Sequence, residues 1–101
     1  MGKDAIKPNH YKQNSLECYE DMCIIFGKKF VCVFFIMNSY KYIKRFRFKN
    51  GEEDLQKCKE YINMYKSLVQ QYDLSEDLDI ISLNSIVNEI EELCEKFMKE
   101  F

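Results

Sequence analysis

The chain has 101 residues, of which 47% are apolar and 15% aromatic, and its net charge is −2. This composition excludes an intrinsically disordered chain, which would be polar and poor in aromatic residues. The length predicts one domain, small enough for a partner subunit to stabilise it. The small net charge excludes a surface that is basic all over, so nucleic acid is not expected as the main partner.

Positive charge is concentrated in the first half of the chain. Residues 1–50 hold ten Lys/Arg and four Asp/Glu, a balance of +6, whereas residues 51–101 hold five and thirteen, a balance of −8. The first half alone is therefore able to hold an anion.

Cysteine usage and hydropathy predict the compartment. The five cysteines are odd in number, form no C-x-x-C and occupy apolar positions, which favours reduced core residues over a disulfide or zinc framework. Residues 1–13 are polar and lack the apolar stretch of a signal peptide. The longest uncharged run, Phe30 to Tyr40, is shorter than the roughly 18 residues of a membrane span. We therefore expect a cytoplasmic protein with no membrane partner.

The first elements are an arm and a helix. Residues 1–13 are predicted to form an extended N-terminal arm. Ser15 is a suitable cap for a helix that Gly27 ends. The apolar positions of this helix step by 3, 4 and 3: Leu16, Tyr19, Cys23 and Phe26.

The run "FVCVFFIM", residues 30–37, is rich in strand-forming residues, yet we predict a helix over 28–49. No turn signal interrupts the run before Lys49, and a strand of that length would be abnormal. A helix that is apolar all round must be buried all round, and three other short helices can hardly cover it. The run therefore predicts a homo-oligomer.

A turn at Asn50 and Gly51, with Gly51 in the left-handed region, precedes a helix that begins with acidic residues. Its apolar positions step by 3, 4, 3, 4 and 3: Leu55, Cys58, Ile62, Tyr65, Val69 and Tyr72. After an acidic loop over 73–79, a last helix carries Leu83, Ile86, Ile90, Leu93 and Phe97. The fold class predicted is all-α with about four helices: residues 14–72 form the main helical domain, and residues 73–101 pack on it as a C-terminal loop and helix.

Two sets of polar residues share a spacing. Asn38, Lys41 and Arg45 are 3 and 4 residues apart and so lie on one helix face, with Tyr42 and Lys49 near it. Two cations and an amide in this arrangement are able to hold a phosphate, since Arg binds bidentately and Lys acts as a point charge.

Asp54, Lys57 and Tyr61 repeat the spacing on the following helix. If the two helices pack antiparallel, the two sets face each other across the hairpin and form a groove that suits a nucleotide. The alternative is a solvated basic face with interhelical salt bridges.

Other candidate chemistry is weaker. His10 is the only histidine, and a lone histidine in a polar arm is usually a surface residue. The carboxylates Glu89, Glu92 and Glu95 lie on one helix, whereas a magnesium site of this kind needs carboxylates on two, so no metal site is predicted. Glycine occurs only at positions 2, 27 and 51, which excludes a P-loop and a dinucleotide-binding fingerprint.

Three segments carry a family resemblance: "NHYK" at 9–12, "LECYED" at 16–21 and "NSYKYIKRFRFKNGEEDLQKCKEYI" at 38–62. Over about residues 8–68 the chain resembles the SaV-like family of small bacteriophage proteins. It departs from the family pattern in having Met37 in place of Gly and Cys58 in place of Ala. The matching positions are His10, Tyr11, Glu17, Asn38, Lys41, Tyr42, Arg45, Lys49, Gly51, Asp54, Lys57 and Tyr61.

The resemblance implies a phage protein of the host cytoplasm. Many members are described as nucleotide kinases, because the family is similar to a phage nucleoside monophosphate kinase that lacks a P-loop. Other members are sensed by a bacterial abortive-infection system, which implies a host defence protein as a partner.

Three functions compete on these grounds. In a kinase, Lys41, Arg45 and Lys49 would stabilise the transferred phosphoryl group, and Asp54 or Glu17 would hold Mg²⁺ or orient the acceptor. His10 or Tyr11 would then close over the base. The second function is a non-catalytic binder of a nucleotide or nucleotide signal in the same groove. The third is an interaction protein that acts through its helical seams.

Overall fold

The computed structural model describes residues 18–101, and these residues form helices joined by turns, without strands. Residues 18–26 form α1, followed by α2 (Lys28–Arg45), α3 (Glu52–Gln71) and α4 (Leu78–Met98). The predicted all-α class is confirmed over this range. The predicted arm and the Ser15 cap lie outside the described residues.

The chain divides into two compact units, one ending at Val31 and the other spanning Cys32–Phe101. The boundary falls inside α2. The second unit contains most of α2 and all of α3 and α4, and it carries the residues discussed below.

Gly27 ends α1, as predicted, whereas Gly51 stands directly before α3. Gly27 follows α1 with φ +99°, and Gly51 follows the turn after α2 with φ +57°. The ψ of Gly51 is −124°, however, so it lies outside the left-handed helical region and serves as the N-cap of α3. Since side chains strongly disfavour this backbone conformation, glycine is required there.

The aromatic run is helical, but α2 ends at Arg45 and not at Lys49. Residues 46–50 form a turn that is closed by a hydrogen bond from Gly51 N to Phe46 O at 2.8 Å. Lys49 therefore lies in the turn and not on the helix face that the spacing predicted.

The core of the second unit comes from one face of each helix. The predicted α3 seam is confirmed at its first four positions, whereas Val69 and Tyr72 are half-buried and Leu68 is buried instead. A straight helix of 3.6 residues per turn drifts away from a heptad pattern, which explains this exchange. The apolar core residues of the unit are Cys32, Phe35, Ile36, Ile43, Phe46, Leu55, Cys58, Ile62, Tyr65, Leu68, Ile80, Val87, Ile90 and Cys94.

The start and the orientation of α4 differ from the prediction. The Asp77 side chain caps the helix by accepting from Asp79 N at 2.9 Å and Ile80 N at 3.2 Å, so the helix begins before the predicted loop ends. Ile86 and Leu93, two of the apolar positions that marked the last helix in the sequence, are 49% and 41% exposed. Their neighbours Val87 and Cys94 are buried, so the buried stripe lies one residue further along the sequence.

One face of α2 is exposed, so the described residues, 18–101, do not bury this helix all round. Phe34, Met37 and Tyr40 are 38%, 64% and 52% exposed, and their spacing places them on one side of the helix. No helix among the described residues has the length and apolar character that crossing a bilayer requires.

Candidate functional site

A charged pair joins the end of α2 to the start of α3. Arg45 donates from Nε to Asp54 Oδ2 at 3.2 Å and from Nη2 to Asp54 Oδ1 at 3.3 Å. The Asp54 side chain is 0% exposed and that of Arg45 is 35% exposed. Asp54 lies in the first turn of α3, where the helix dipole also stabilises a carboxylate. Two charge-assisted bonds therefore fix the approach of the two helices at the hairpin.

The turn between the helices donates to the same carboxylate. Asn50 reaches Asp54 Oδ2 from its backbone N–H at 3.2 Å and Oδ1 from its side-chain amide at 3.5 Å. Burial raises the pKa of Asp54, but the hydrogen bonds from Arg45 and Asn50 and the Arg45 charge outweigh burial, so the pKa lies below its ordinary value of 3.8.

Both oxygens of Asp54 are therefore engaged by protein donors, and the carboxylate braces the turn. This differs from the open carboxylate that holding Mg²⁺ or orienting an acceptor requires. Asn50 was predicted only as a helix break. Its position four residues before Asp54 was the one signal in the sequence for this second role.

Three cations converge on the ring of Tyr42. The distances to the ring centroid are 4.6 Å from Lys41 Nζ, 4.8 Å from Arg45 Cζ and 5.7 Å from Lys57 Nζ. Each lies within the range of cation–π attraction. Since Lys57 belongs to α3 and the other two belong to α2, the predicted convergence of the two polar sets occurs around this ring.

Aromatic contacts hold the Tyr42 ring in place. It stacks on Tyr61 of α3, with ring centroids 5.9 Å apart and an interplanar angle of 16°. Tyr61 also contacts the rings of Phe34 at 6.4 Å and Phe35 at 6.2 Å. Such pairs stabilise a fold beyond the area they bury, so the ring beneath the cations is part of the joint between α2 and α3.

Only one of the three cations is neutralised by a carboxylate. Arg45 is paired with Asp54, as the interhelical salt-bridge alternative predicted, whereas neither Lys41 nor Lys57 forms an ion pair with a described residue. Lys41 is exposed and Lys57 is half-buried. Two uncompensated positive charges beside one ring give a local positive potential that attracts an anion.

Other predicted site residues stand apart from this cluster. The Asn38 side chain donates to Phe34 O at 2.9 Å in its own helix, and Lys49 is exposed in the turn. His10, Tyr11 and Glu17 lie outside the described residues. The structure brings together six predicted residues: Lys41, Tyr42, Arg45, Asp54, Lys57 and Tyr61.

A cavity of about 280 Å³ lies towards the other end of α3, and sequence reasoning did not predict it. On its wall, the Tyr65 hydroxyl donates to Asn84 Oδ1 at 2.5 Å. None of its lining residues is a predicted site residue. They are Tyr65, Lys66, Val69, Gln70, Asp73, Ser75 and Asn84.

Among residues 18–101, no three His, Cys, Asp or Glu side chains are grouped so that they could hold a metal ion. Glu89, Glu92 and Glu95 accordingly form no such group.

Residues 6–63 match the family DUF3310, whose description is a protein of unknown function. No curated protein and no solved structure matches the chain significantly. The matched range includes the Arg45 and Asp54 pair together with Tyr42 and Lys57, and it ends before α4. It overlaps the segments on which the SaV-like resemblance depends, and the family description names no activity. Because the match covers more than half of the sequence, the chain belongs to the DUF3310 family of proteins of unknown function.

Proposed function

We propose that the protein binds a nucleotide, or another phosphorylated small molecule, at the surface that Lys41 and Lys57 form beside Tyr42. The observation that carries the proposal is the convergence of three cations on this ring, of which only Arg45 is paired with a carboxylate among residues 18–101. Phosphate is the common biological anion that such point charges bind.

The cations have different roles in this proposal. Lys41 and Lys57 contact the phosphate as mobile point charges from opposite helices. Arg45 is held by Asp54, so it adds positive potential and keeps the hairpin in shape, and it does not offer its bidentate edge to the ligand. Asn38 and Lys49 stay predictions as flanking contacts, and so do His10 and Tyr11 as groups that close over the base.

Binding without turnover is favoured over phosphoryl transfer. A kinase of this kind would need a carboxylate that is free to hold Mg²⁺ or to orient the acceptor. Asp54 is buried and engaged by Arg45 and Asn50. A nucleoside monophosphate kinase is the alternative, in which Asp54 or Glu17 would hold Mg²⁺ or orient the acceptor.

Self-association is part of the proposal as well. The exposed side chains of Phe34, Met37 and Tyr40 form an apolar face that a second copy would cover. The phage origin, the host-cytoplasm location and a host defence partner stay predictions from the SaV-like resemblance.

A thermal-shift screen of inorganic phosphate and of nucleoside mono-, di- and triphosphates tests binding. A ligand at 100 times its dissociation constant adds about 2.7 kcal/mol to the free energy of unfolding. For a ligand that binds, Lys41→Gln and Lys57→Gln should each weaken affinity by about tenfold, since each removes a charge-assisted bond.

Lys59→Gln is the matched control, because it removes an exposed charge from the same helix two residues away. Its affinity should equal that of the wild type. If no compound stabilises the protein, or if Lys59→Gln weakens binding as much as Lys57→Gln does, the proposed site is wrong.

A kinase assay on the bound nucleotide then separates the two functions. Asp54→Asn leaves Lys41 and Lys57 in place, so a binder should keep its affinity. If the wild type turns the nucleotide over and Asp54→Asn abolishes that turnover, the kinase alternative is correct and binding alone is not the function.

A further inference from the structure

The outer face of α2 combines apolar and basic side chains. Met37, Tyr40 and Lys44 step by 3 and 4 residues, so they share the exposed side of the helix. Lys44 Nζ lies 5.9 Å over the Tyr40 ring. The whole of α2 contains five basic residues and no acidic residue. Lys44 forms no ion pair within residues 18–101, so this face offers an apolar surface that ends in positive charge.

The outer face of α4 has the opposite charge. Ile86, Glu89 and Leu93 step by 3 and 4 residues and are exposed. The helix contains five acidic residues and one basic residue. Glu89 forms no ion pair with any residue in the described range. This face offers apolar side chains on either side of a free carboxylate.

We infer that the α2 face of one copy binds the α4 face of a second copy. Apolar side chains of Met37 and Tyr40 would pack against Ile86 and Leu93, and Lys44 would approach Glu89. The charges favour the pairing of α2 with α4. Two copies of α2 would bring two basic helices together, and two copies of α4 would bring two acidic helices together, so both of these pairings are disfavoured. The inference depends on the proposed self-association and names the surfaces that carry it.

Interface size favours a reciprocal pair. Stable interfaces bury about 800 Å² on each partner, which is more than one exposed helix face of three large side chains supplies. In a dimer with two-fold symmetry, each copy contributes its α2 face and its α4 face, so the same contact forms twice. We therefore expect a dimer and not an open chain of copies.

Sedimentation equilibrium over a concentration series measures the assembly. The wild type should approach twice the 12.2 kDa mass of the chain as concentration rises. A mass of one chain at every concentration would overturn both self-association and the surfaces named here, and it would leave the nucleotide site untouched.

Met37→Glu tests the α2 face. Met37 is 64% exposed, so a carboxylate is tolerated in the free chain, but in the dimer it would be buried. The dimer dissociation constant should rise by about tenfold or more. Gln56→Glu adds the same charge at an exposed position on α3 and should leave the constant unchanged. A dimer that Met37→Glu leaves intact would show that another surface carries the assembly.

Charge reversal tests the pairing of the two faces. Lys44→Glu alone and Glu89→Lys alone should each weaken the dimer by about fivefold, because like charges then meet. The double variant restores opposite charges and should recover most of the wild-type affinity. If the two single effects on the dimer dissociation constant simply multiply in the double variant, Lys44 and Glu89 do not meet and the assignment of α4 is wrong.

Discussion

Arg47 and Glu100 form a bidentate ion pair between the turn after α2 and the residues beyond α4, with both N–O distances at 3.1 Å. The Arg47 guanidinium also lies 4.7 Å from the ring centroid of Phe46 and 4.9 Å from that of Phe97. These two rings are themselves 4.9 Å apart. The C-terminal segment, which lies beyond the family match, therefore packs on the turn that supplies Asn50 to Asp54.

The packing of the Phe97 ring should contribute more to the free energy of unfolding than the ion pair between Arg47 and Glu100 does. The Arg47 and Glu100 side chains are 54% and 43% exposed, so Glu100→Gln should cost less than about 1 kcal/mol of unfolding free energy. Phe97→Ala removes a half-buried ring and should cost about 2 kcal/mol. Urea unfolding of both variants measures the difference. Equal losses of unfolding free energy would contradict this prediction, because the ion pair would then contribute as much as the ring.

Asp54→Asn should lower the free energy of unfolding at neutral pH by about 2 kcal/mol, because Arg45 loses its buried partner. The pKa of Asp54 is lowered in the folded state, since the bonds from Arg45 and Asn50 outweigh the effect of burial. The Asp54 carboxylate therefore stabilises the folded state at pH values above its unfolded pKa, near 3.8. This stabilisation is lost as the pH falls through the lower pKa of the folded state.

Urea unfolding at neutral pH and at successively lower pH checks this window. The difference between the wild type and Asp54→Asn should shrink as the pH falls below the ordinary aspartate pKa. Glu60→Gln removes an exposed carboxylate from the same helix and should follow the wild type. A difference that stays constant down to full protonation would mean that the carboxylate charge contributes nothing.

The Tyr65 hydroxyl should lose its proton at a higher pH than an ordinary tyrosine does. Burial raises its pKa to about 12 from 10.0, with a smaller effect from Cys32. The folded state thus favours the neutral phenol, so its contribution to stability is complete below pH 10 and is lost as the pH rises towards 12. A tyrosinate absorbance titration should show one late component that Tyr65→Phe removes. If Tyr65→Phe removes an early component instead, the hydroxyl is accessible to solvent.

The sequence predicted the helices and the hairpin because their signals are local. Gly27 and Gly51 are the only glycines within the described range, and both have positive φ. Two sets of polar residues share steps of 3 and 4 residues: Asn38, Lys41 and Arg45 on α2, and Asp54, Lys57 and Tyr61 on α3. A short turn between the helices brings all of them except Asn38 together. The local spacing of residues was sufficient to predict this part of the site.

The features that were mispredicted depend on distant partners. In α4, Ile86 and Leu93 compete with Val87 and Cys94 for the core, and the two stripes are only one residue apart. The packing of α4 against α3 decides between them, and no property of the α4 sequence does so. The packing of Arg47 on Phe97 likewise depends on a residue far along the chain.

Thiol reactivity checks the prediction of reduced core cysteines. All five cysteines are free, and only Cys18 is exposed. Burial raises the pKa of Cys23, Cys58 and Cys94, which keeps these thiols protonated and slow to react. Ellman's reagent should therefore modify one thiol quickly in the native protein, and Cys18→Ser should abolish that phase. The remaining thiols should react only as fast as the protein unfolds. A second fast thiol in Cys18→Ser would show that part of the core opens without global unfolding.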